Sequence, residues 1–195
     1  DFQKKVSNFT HLLTPKVLLK LSPGSMRKEE SGERLTSTDA FNIDRLNNIN
    51  NFETSNTATV GINFDIKKDN IDKFNFSVAQ IISEKENKKM STKSGLDEKL
   101  SDLVGDASLE INKNIELNYN FLIDQNYQDF NYNEIGAKVD FDIFNFELDY
   151  MQERKHVGKS DYALAKIGIK NGENTELSFQ TKRNFITNSS EYYDL

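Results

Sequence analysis

Residues 115–123 read Ile115-Glu116-Leu117-Asn118-Tyr119-Asn120-Phe121-Leu122-Ile123, and residues 135–142 read Ile135-Gly136-Ala137-Lys138-Val139-Asp140-Phe141-Asp142. In the first run Ile115, Leu117, Tyr119, Phe121 and Ile123 alternate with Glu116, Asn118, Asn120 and Leu122. In the second, Ile135, Ala137, Val139 and Phe141 alternate with Gly136, Lys138, Asp140 and Asp142. A third run follows a very short turn and sets Phe144, Phe146, Leu148 and Tyr150 between Asn145, Glu147 and Asp149. Side chains of a strand point alternately to opposite faces, so each run has one apolar and one polar face. The spacing predicts consecutive antiparallel strands. It leaves open whether their apolar face meets a protein core or lipid.

The same period extends outward. Val60, Ile62, Phe64 and Ile66 alternate with Gly61, Asn63 and Asp65, and Phe74, Phe76 and Val78 alternate with Asn75, Ser77 and Ala79. Residues 103–111 and 162–169 read as further strands, Leu177 and Phe179 mark another, and a last one begins near Tyr192. Residues 9–21 are apolar and β-rich but contain Pro15, which cannot donate to a ladder, so an irregular or edge-like strand is expected there. Between them the long polar stretch 26–51 offers at most one helical turn, around Phe41, Ile43 and Leu46.

The connections carry the decisive asymmetry. Residues 22–52 and 84–100 are long loops, and 125–131 and 152–160 are intermediate. Between them fall short turns at 67–72, at 112–114, at 142–144 and at Asn171-Gly172, a pair that tolerates the positive φ of a two-residue hairpin. Short and longer connections alternate strictly, so a meander places every short turn at one end of the sheet and every longer loop at the other. Membrane β-barrels of the outer-membrane type have that asymmetry. Strands of 9–13 residues match the roughly 9–11 needed to cross a bilayer at a tilt. A soluble sandwich has strands of about 5–6 residues and crossings that scramble the order. The expected fold is therefore all-β: an antiparallel up-and-down meander of about 9–10 strands, part of a larger transmembrane barrel.

Composition is compatible with this. The 195 residues include no Cys or Trp and carry a net charge of −6, with 29% charged residues. The mean hydropathy is −0.69. No apolar run approaches the roughly 18 residues of a membrane helix, but half of every barrel strand is polar, so low hydropathy does not exclude a barrel. The acidic balance argues against nucleic acid as a partner, because phosphate binding needs a basic surface. The chain opens on Asp1 and stops at Leu195 as a strand is starting, so both ends are expected to be cut from a longer chain whose barrel domain includes residues 1–195.

In a barrel, Val60, Ile62, Phe64, Leu117, Tyr119, Val139, Phe141 and Leu148 are expected to face lipid. Asn63, Asp65, Glu116, Asn118, Lys138, Asp140 and Glu147 are expected to face a wet lumen, where opposite charges on neighbouring strands can pair. Phe74, Phe121, Phe144 and Tyr150 suit an interfacial aromatic girdle. Little points to catalysis. His11 and His156 lie in unrelated segments and read as surface residues. The Glu147–Asp149 spacing follows the pleat of a solvated face. Asp39, Asp44, Asp69 and Asp72 fall in loops and turns where a divalent cation could be met, and Lys85, Lys88, Lys89 and Lys93 mark a solvated loop. No catalytic, cofactor or metal site is expected.

Several stretches carry a more specific signal: Leu21-Ser22-Pro23-Gly24-Ser25-Met26-Arg27, then Ser94-Gly95-Leu96-Asp97-Glu98-Lys99-Leu100-Ser101-Asp102-Leu103-Val104-Gly105. Tyr119-Asn120-Phe121-Leu122-Ile123-Asp124 with Asn131-Tyr132-Asn133-Glu134-Ile135, and Lys182-Arg183-Asn184-Phe185, complete the set. Together they resemble the C-terminal part of the barrel of the LptD family, lipopolysaccharide-assembly proteins of the Gram-negative outer membrane. The resemblance implies lipopolysaccharide as cargo, a lipoprotein plugging the lumen, periplasmic bridge components, contact with outer-membrane lipid, and a periplasmic jelly-roll domain elsewhere in the chain. It also implies a lateral opening between the first and last barrel strands, whose residues cannot be placed on this stretch. The family's cysteine pairs have no match in a chain without cysteine. The residues alone leave two other readings open: a different outer-membrane barrel, such as a porin or receptor, and a soluble cell-surface β-sandwich that binds a ligand.

Overall fold

The computed structural model describes residues 1–30, 32–46, 48–170 and 176–194. Among these residues eleven strands form one sheet, β1 Phe2–Val6, β2 Phe9–Leu21, β3 Asn56–Lys68, β4 Ile71–Ser83, β5 Leu103–Asn112 and β6 Ile115–Ile123, then β7 Phe130–Asp140, β8 Phe144–Glu153, β9 Ser160–Lys170, β10 Glu176–Asn184 and β11 Ser189–Asp194. Their order across the sheet is their order in the chain, with every neighbouring pair antiparallel. This is an open up-and-down meander, the architecture of a partial barrel. The strand beyond the expected count is β1, whose run Phe2-Gln3-Lys4-Lys5-Val6 lacks alternation but pairs with β2 from Phe2 opposite Leu13 to Val6 opposite Phe9. Pro15 sits within β2 opposite Ile62, past the residues that β1 pairs.

The two ends of the sheet differ as the loop lengths require. At one end β3 and β4 are joined by Asp69 and Asn70 alone, both left-handed at φ 51° and 66°. Such short polar side chains tolerate that region, and the resulting turn matches the twist of the flanking strands. Residues 7–8, 113–114 and 141–143 make the other tight turns at this end. The expected hairpin at Asn171-Gly172 lies outside the described residues. At the opposite end lie 22–55, 84–102, 124–129, 154–159 and 185–188.

Register fixes the faces. Ile62 stands opposite Val78, Val78 opposite Gly105 and Gly105 opposite Phe121. Along the strands from Phe121 this face continues through Leu117, opposite Ala137, which is opposite Leu148. The other face runs from Asn63 through Ser77, Asp106 and Asn120 to Glu134. The apolar face stays open: Val60 is 43% exposed, Ile135 51%, Ile167 46% and Leu177 59%. The buried core lies on the polar face, at the long-loop end.

Candidate functional site

The polar face does not stay polar to its end. Over the last turns of the pleat before the long loops, its positions are Ala79 and Ile81 of β4, Val104 of β5, Leu122 of β6 and Tyr132 of β7. All are buried, with Val104 at 0% and Ile81 at 1% exposure. What covers them is the two long loops, which fold back onto the sheet and contribute Met26, Leu35, Ala40, Met90 and Leu96 to the same core. Fully burying an aliphatic side chain is worth about 1.5–3 kcal/mol, so this patch holds the loops down as a lid.

Specific contacts set its position. A 3-10 turn, Asp39–Phe41, presents the Ala40 carbonyl to the Thr59 hydroxyl at 3.0 Å. Beside it the Phe41 ring rests on Gly61, where an added Cβ would lie 2.8 Å from the ring and 2.5 Å from the Val78 carbonyl oxygen. Glycine is therefore required by close approach, and Lys16 lies 5.5 Å over the same ring. The two lid loops are joined by a backbone bond from Glu29 N–H to the Lys89 carbonyl at 2.7 Å, and by the Asn87 amide donating to the Thr54 carbonyl at 3.1 Å.

Three buried polar clusters fasten the lid to the strands. Near the root of the first loop, Glu53 forms an ion pair with Lys20 at 3.0 Å and accepts from Arg45 at 2.8 Å, and Arg45 also donates to the Thr57 hydroxyl at 2.9 Å. Farther across, Arg34 Nε donates to Glu153 of β8 at 2.8 Å while its guanidinium lies 3.6 Å over the Tyr132 ring. Tyr132 in turn donates to Glu134 at 2.6 Å. The third cluster is His156, from loop 154–159. Its Nε2 lies 2.6 Å from an Asp102 carboxylate oxygen and its Nδ1 2.9 Å from the Thr92 carbonyl oxygen, and the Asn131 amide donates to the same Asp102 oxygen at 2.8 Å. His156 is not the surface residue expected from its charged surroundings; its side chain is 3% exposed. Gly95, left-handed at φ 67°, leaves the room the imidazole occupies, since a Cβ there would lie 3.2 Å from the ring. Between the two lid loops, lined by loop residues, is a polar cavity of about 370 Å³, bounded by Glu29, Glu33, Arg34, Asp39, Arg45 and Ser91 among others.

The remaining residues singled out in the sequence fall as follows. Val60, Ile62, Phe64, Leu117, Tyr119, Val139 and Leu148 share the apolar face. Phe141 does not continue β7; it lies in the turn, its N–H bonded to the Phe144 carbonyl and its ring 5.0 Å from that of Phe144. Asn63, Asp65, Glu116, Asn118, Lys138, Asp140 and Glu147 share the polar face. There charges meet across strands: Lys138 lies 3.7 Å from Glu147, Lys73 2.5 Å from Glu110, and Lys170 pairs with Asp140. Of the carboxylates expected in loops and turns, Asp39 accepts from the Thr36 hydroxyl at 2.6 Å, while Asp72 lies in β4 and pairs with Lys67 of β3 at 3.0 Å. His11 stacks on Phe64, with ring centroids 6.1 Å apart. Lys85, Lys88, Lys89 and Lys93 are exposed.

The lid itself was not foreseen from the sequence. Its one signal is a break of parity: Ala79, Ile81, Val104 and Leu122 are apolar where the alternation calls for polar residues. The arrangement can cover one end of the polar face, exclude solutes there and yield if its clusters open. Compared with known proteins, the chain matches the family model LptD, described as LPS transport system D, over residues 1–189. No curated protein matches it.

Proposed function

The chain belongs to the LptD, LPS transport system D, family, and from that premise we propose that it is wall and lid of an outer-membrane barrel that delivers lipopolysaccharide to the cell surface. The family's setting is lipopolysaccharide transport at the Gram-negative outer membrane. In this reading residues 1–195 belong to the C-terminal part of the barrel domain. The apolar face, with Val60, Ile62, Leu117, Val139 and Leu148, meets lipid, and the polar face, with Asn63, Asp65, Glu116, Lys138 and Glu147, lines the lumen. The tight turns lie on the periplasmic side and the lid on the outer side. The role is passage without catalysis.

The observation that carries this reading is the open apolar face. Soluble proteins rarely leave a contiguous apolar patch larger than a few hundred Å² uncovered. Here Val60 at 43%, Leu148 at 41% and Leu177 at 59% mark a face exposed from β3 to β10, while the lid loops turn to the other side. In hydrocarbon, only closed sheets and helices satisfy the backbone, so the sheet needs further strands at its edges to close. Lipopolysaccharide, a lumen-plugging lipoprotein and periplasmic bridge components are the partners this role requires. Depleting the protein in cells tests it: lipopolysaccharide should accumulate in the inner membrane, and a normal amount at the surface after depletion would refute the role.

A further inference from the structure

The three lid clusters differ in one chemical respect. Glu53 and Glu153 pair with the Lys20 ammonium and with the Arg45 and Arg34 guanidiniums. The third cluster is held by an imidazole. Both of its ring nitrogens face acceptors, the Asp102 carboxylate and the Thr92 carbonyl. A neutral imidazole has one donor and one acceptor, so only the doubly protonated ring satisfies both bonds. We propose that His156 is a proton-operated clasp: charged, it locks loop 154–159 to loop 84–102 and closes the lid, and neutral, it lets that edge of the lid open. The proposal rests on the reading of the long-loop end as the outer mouth of a transport barrel.

The surroundings favour such a switch. The imidazole is buried, so water does not replace a lost bond at once. The charged groups acting on it are Asp102, at the foot of loop 84–102, and Lys155 of its own loop, which points to Glu98 at 3.9 Å. β7 presents only the neutral amide of Asn131, already bonded to Asp102. At the end of β8, Glu153 is engaged by Arg34. Burial opposes the charge on His156, but the bonds to Asp102 and to the Thr92 carbonyl outweigh it and raise the pKa above the ordinary 6.5. A raised pKa gives a contribution that is full below the unfolded value and is lost as pH rises through the folded value. The clasp is therefore closed in acid and released toward alkaline pH. One end of the lid would loosen while the Glu53 and Arg34 clusters keep the rest in place.

The test is hydrogen exchange of the full-length protein in detergent from about pH 5.5 to about pH 8.5, corrected for the intrinsic pH dependence of exchange, a span that brackets the imidazole range. Protection of amides in 84–102 should fall several-fold across that span, while β5 and β6 stay protected. In the His156→Gln variant the fall should be absent. In Asp102→Asn, which keeps the imidazole but removes its anion, the fall should move to lower pH. Protection that is independent of pH in the unaltered protein, or a fall that persists in His156→Gln, overturns the proposal. If the variant fails to fold, the midpoint shift in Asp102→Asn decides. The outer placement is read separately, by an epitope inserted beside Lys88 and probed on intact cells with an antibody. A titrating clasp with a hidden epitope keeps the clasp and overturns the placement on which its role depends.

Discussion

The two ends of the polar face are made by the same strands and obey different electrostatics. At the turn end Lys138 and Glu147 are 53% and 38% exposed and stand 3.7 Å apart. At the loop end Arg45 and Glu53 are 1% and 2% exposed and stand 2.8 Å apart. Solvated pairs contribute about 0–1 kcal/mol, because water and salt screen them. Desolvated charges depend on each other, and removing one leaves the other stranded. The lid is thus what converts ordinary barrel-wall polarity into a structure that fails if one charge is lost.

The largest effect is expected where that dependence is concentrated. Glu53→Ala leaves Lys20 and Arg45 buried together without their anion, and should cost about 3–5 kcal/mol in a urea titration of the protein in lipid vesicles. A small cost there would mean that the lid end is wet after all and the contrast between the ends is false. Next comes Leu122→Ala, which opens a cavity between wall and lid and should cost about 2–5 kcal/mol by the same measurement. On the opposite face, Leu117→Arg or Val139→Arg should cost about 2–4 kcal/mol if near the bilayer midplane, and Asn118→Arg far less. Equal costs on the two faces would sink the lipid assignment. Gly61→Ala should displace the Phe41 ring, at about 1–3 kcal/mol, with faster protease cleavage in 22–55 as the readout. The smallest effect, under about 1 kcal/mol, is expected for Lys138→Ala at the turn end, and a larger one would show that this end too is shielded from water.

The wall was legible because its signal is local. Ile115 to Ile123 and Phe144 to Tyr150 announce their faces two residues at a time, and turn length followed from Asp69-Asn70 and Lys113-Asn114. β1 escaped notice because Lys4 and Lys5 interrupt its alternation; its strand character comes from pairing with β2. The lid was illegible for the opposite reason. Arg34 finds Glu153 across 119 residues, and His156 finds Asp102 across 54, so neither pairing leaves a trace in the neighbouring sequence. Surrounded by Arg154, Lys155 and Lys159, His156 reads as solvent-exposed, and only the carbonyl of Thr92 and the carboxylate of Asp102 make burial tolerable. The apolar residues Ala79, Ile81, Val104 and Leu122 at polar parity were in plain view, and they are the place where a reading of periodicity should stop and ask what packs on the lumen side.

The reach of the Arg34–Glu153 bond bears on the order in which the molecule assembles. Hairpins with two-residue turns close cheaply and early, whereas contacts across long stretches of chain must wait for the elements between them. Arg34 cannot reach Glu153 until β3 to β8 stand side by side, and the Thr92 carbonyl cannot meet His156 until loop 154–159 has followed β8 into place. A settled lid therefore certifies a finished stretch of wall, and a chain halted midway through assembly would be recognisable by first-loop residues still open to protease.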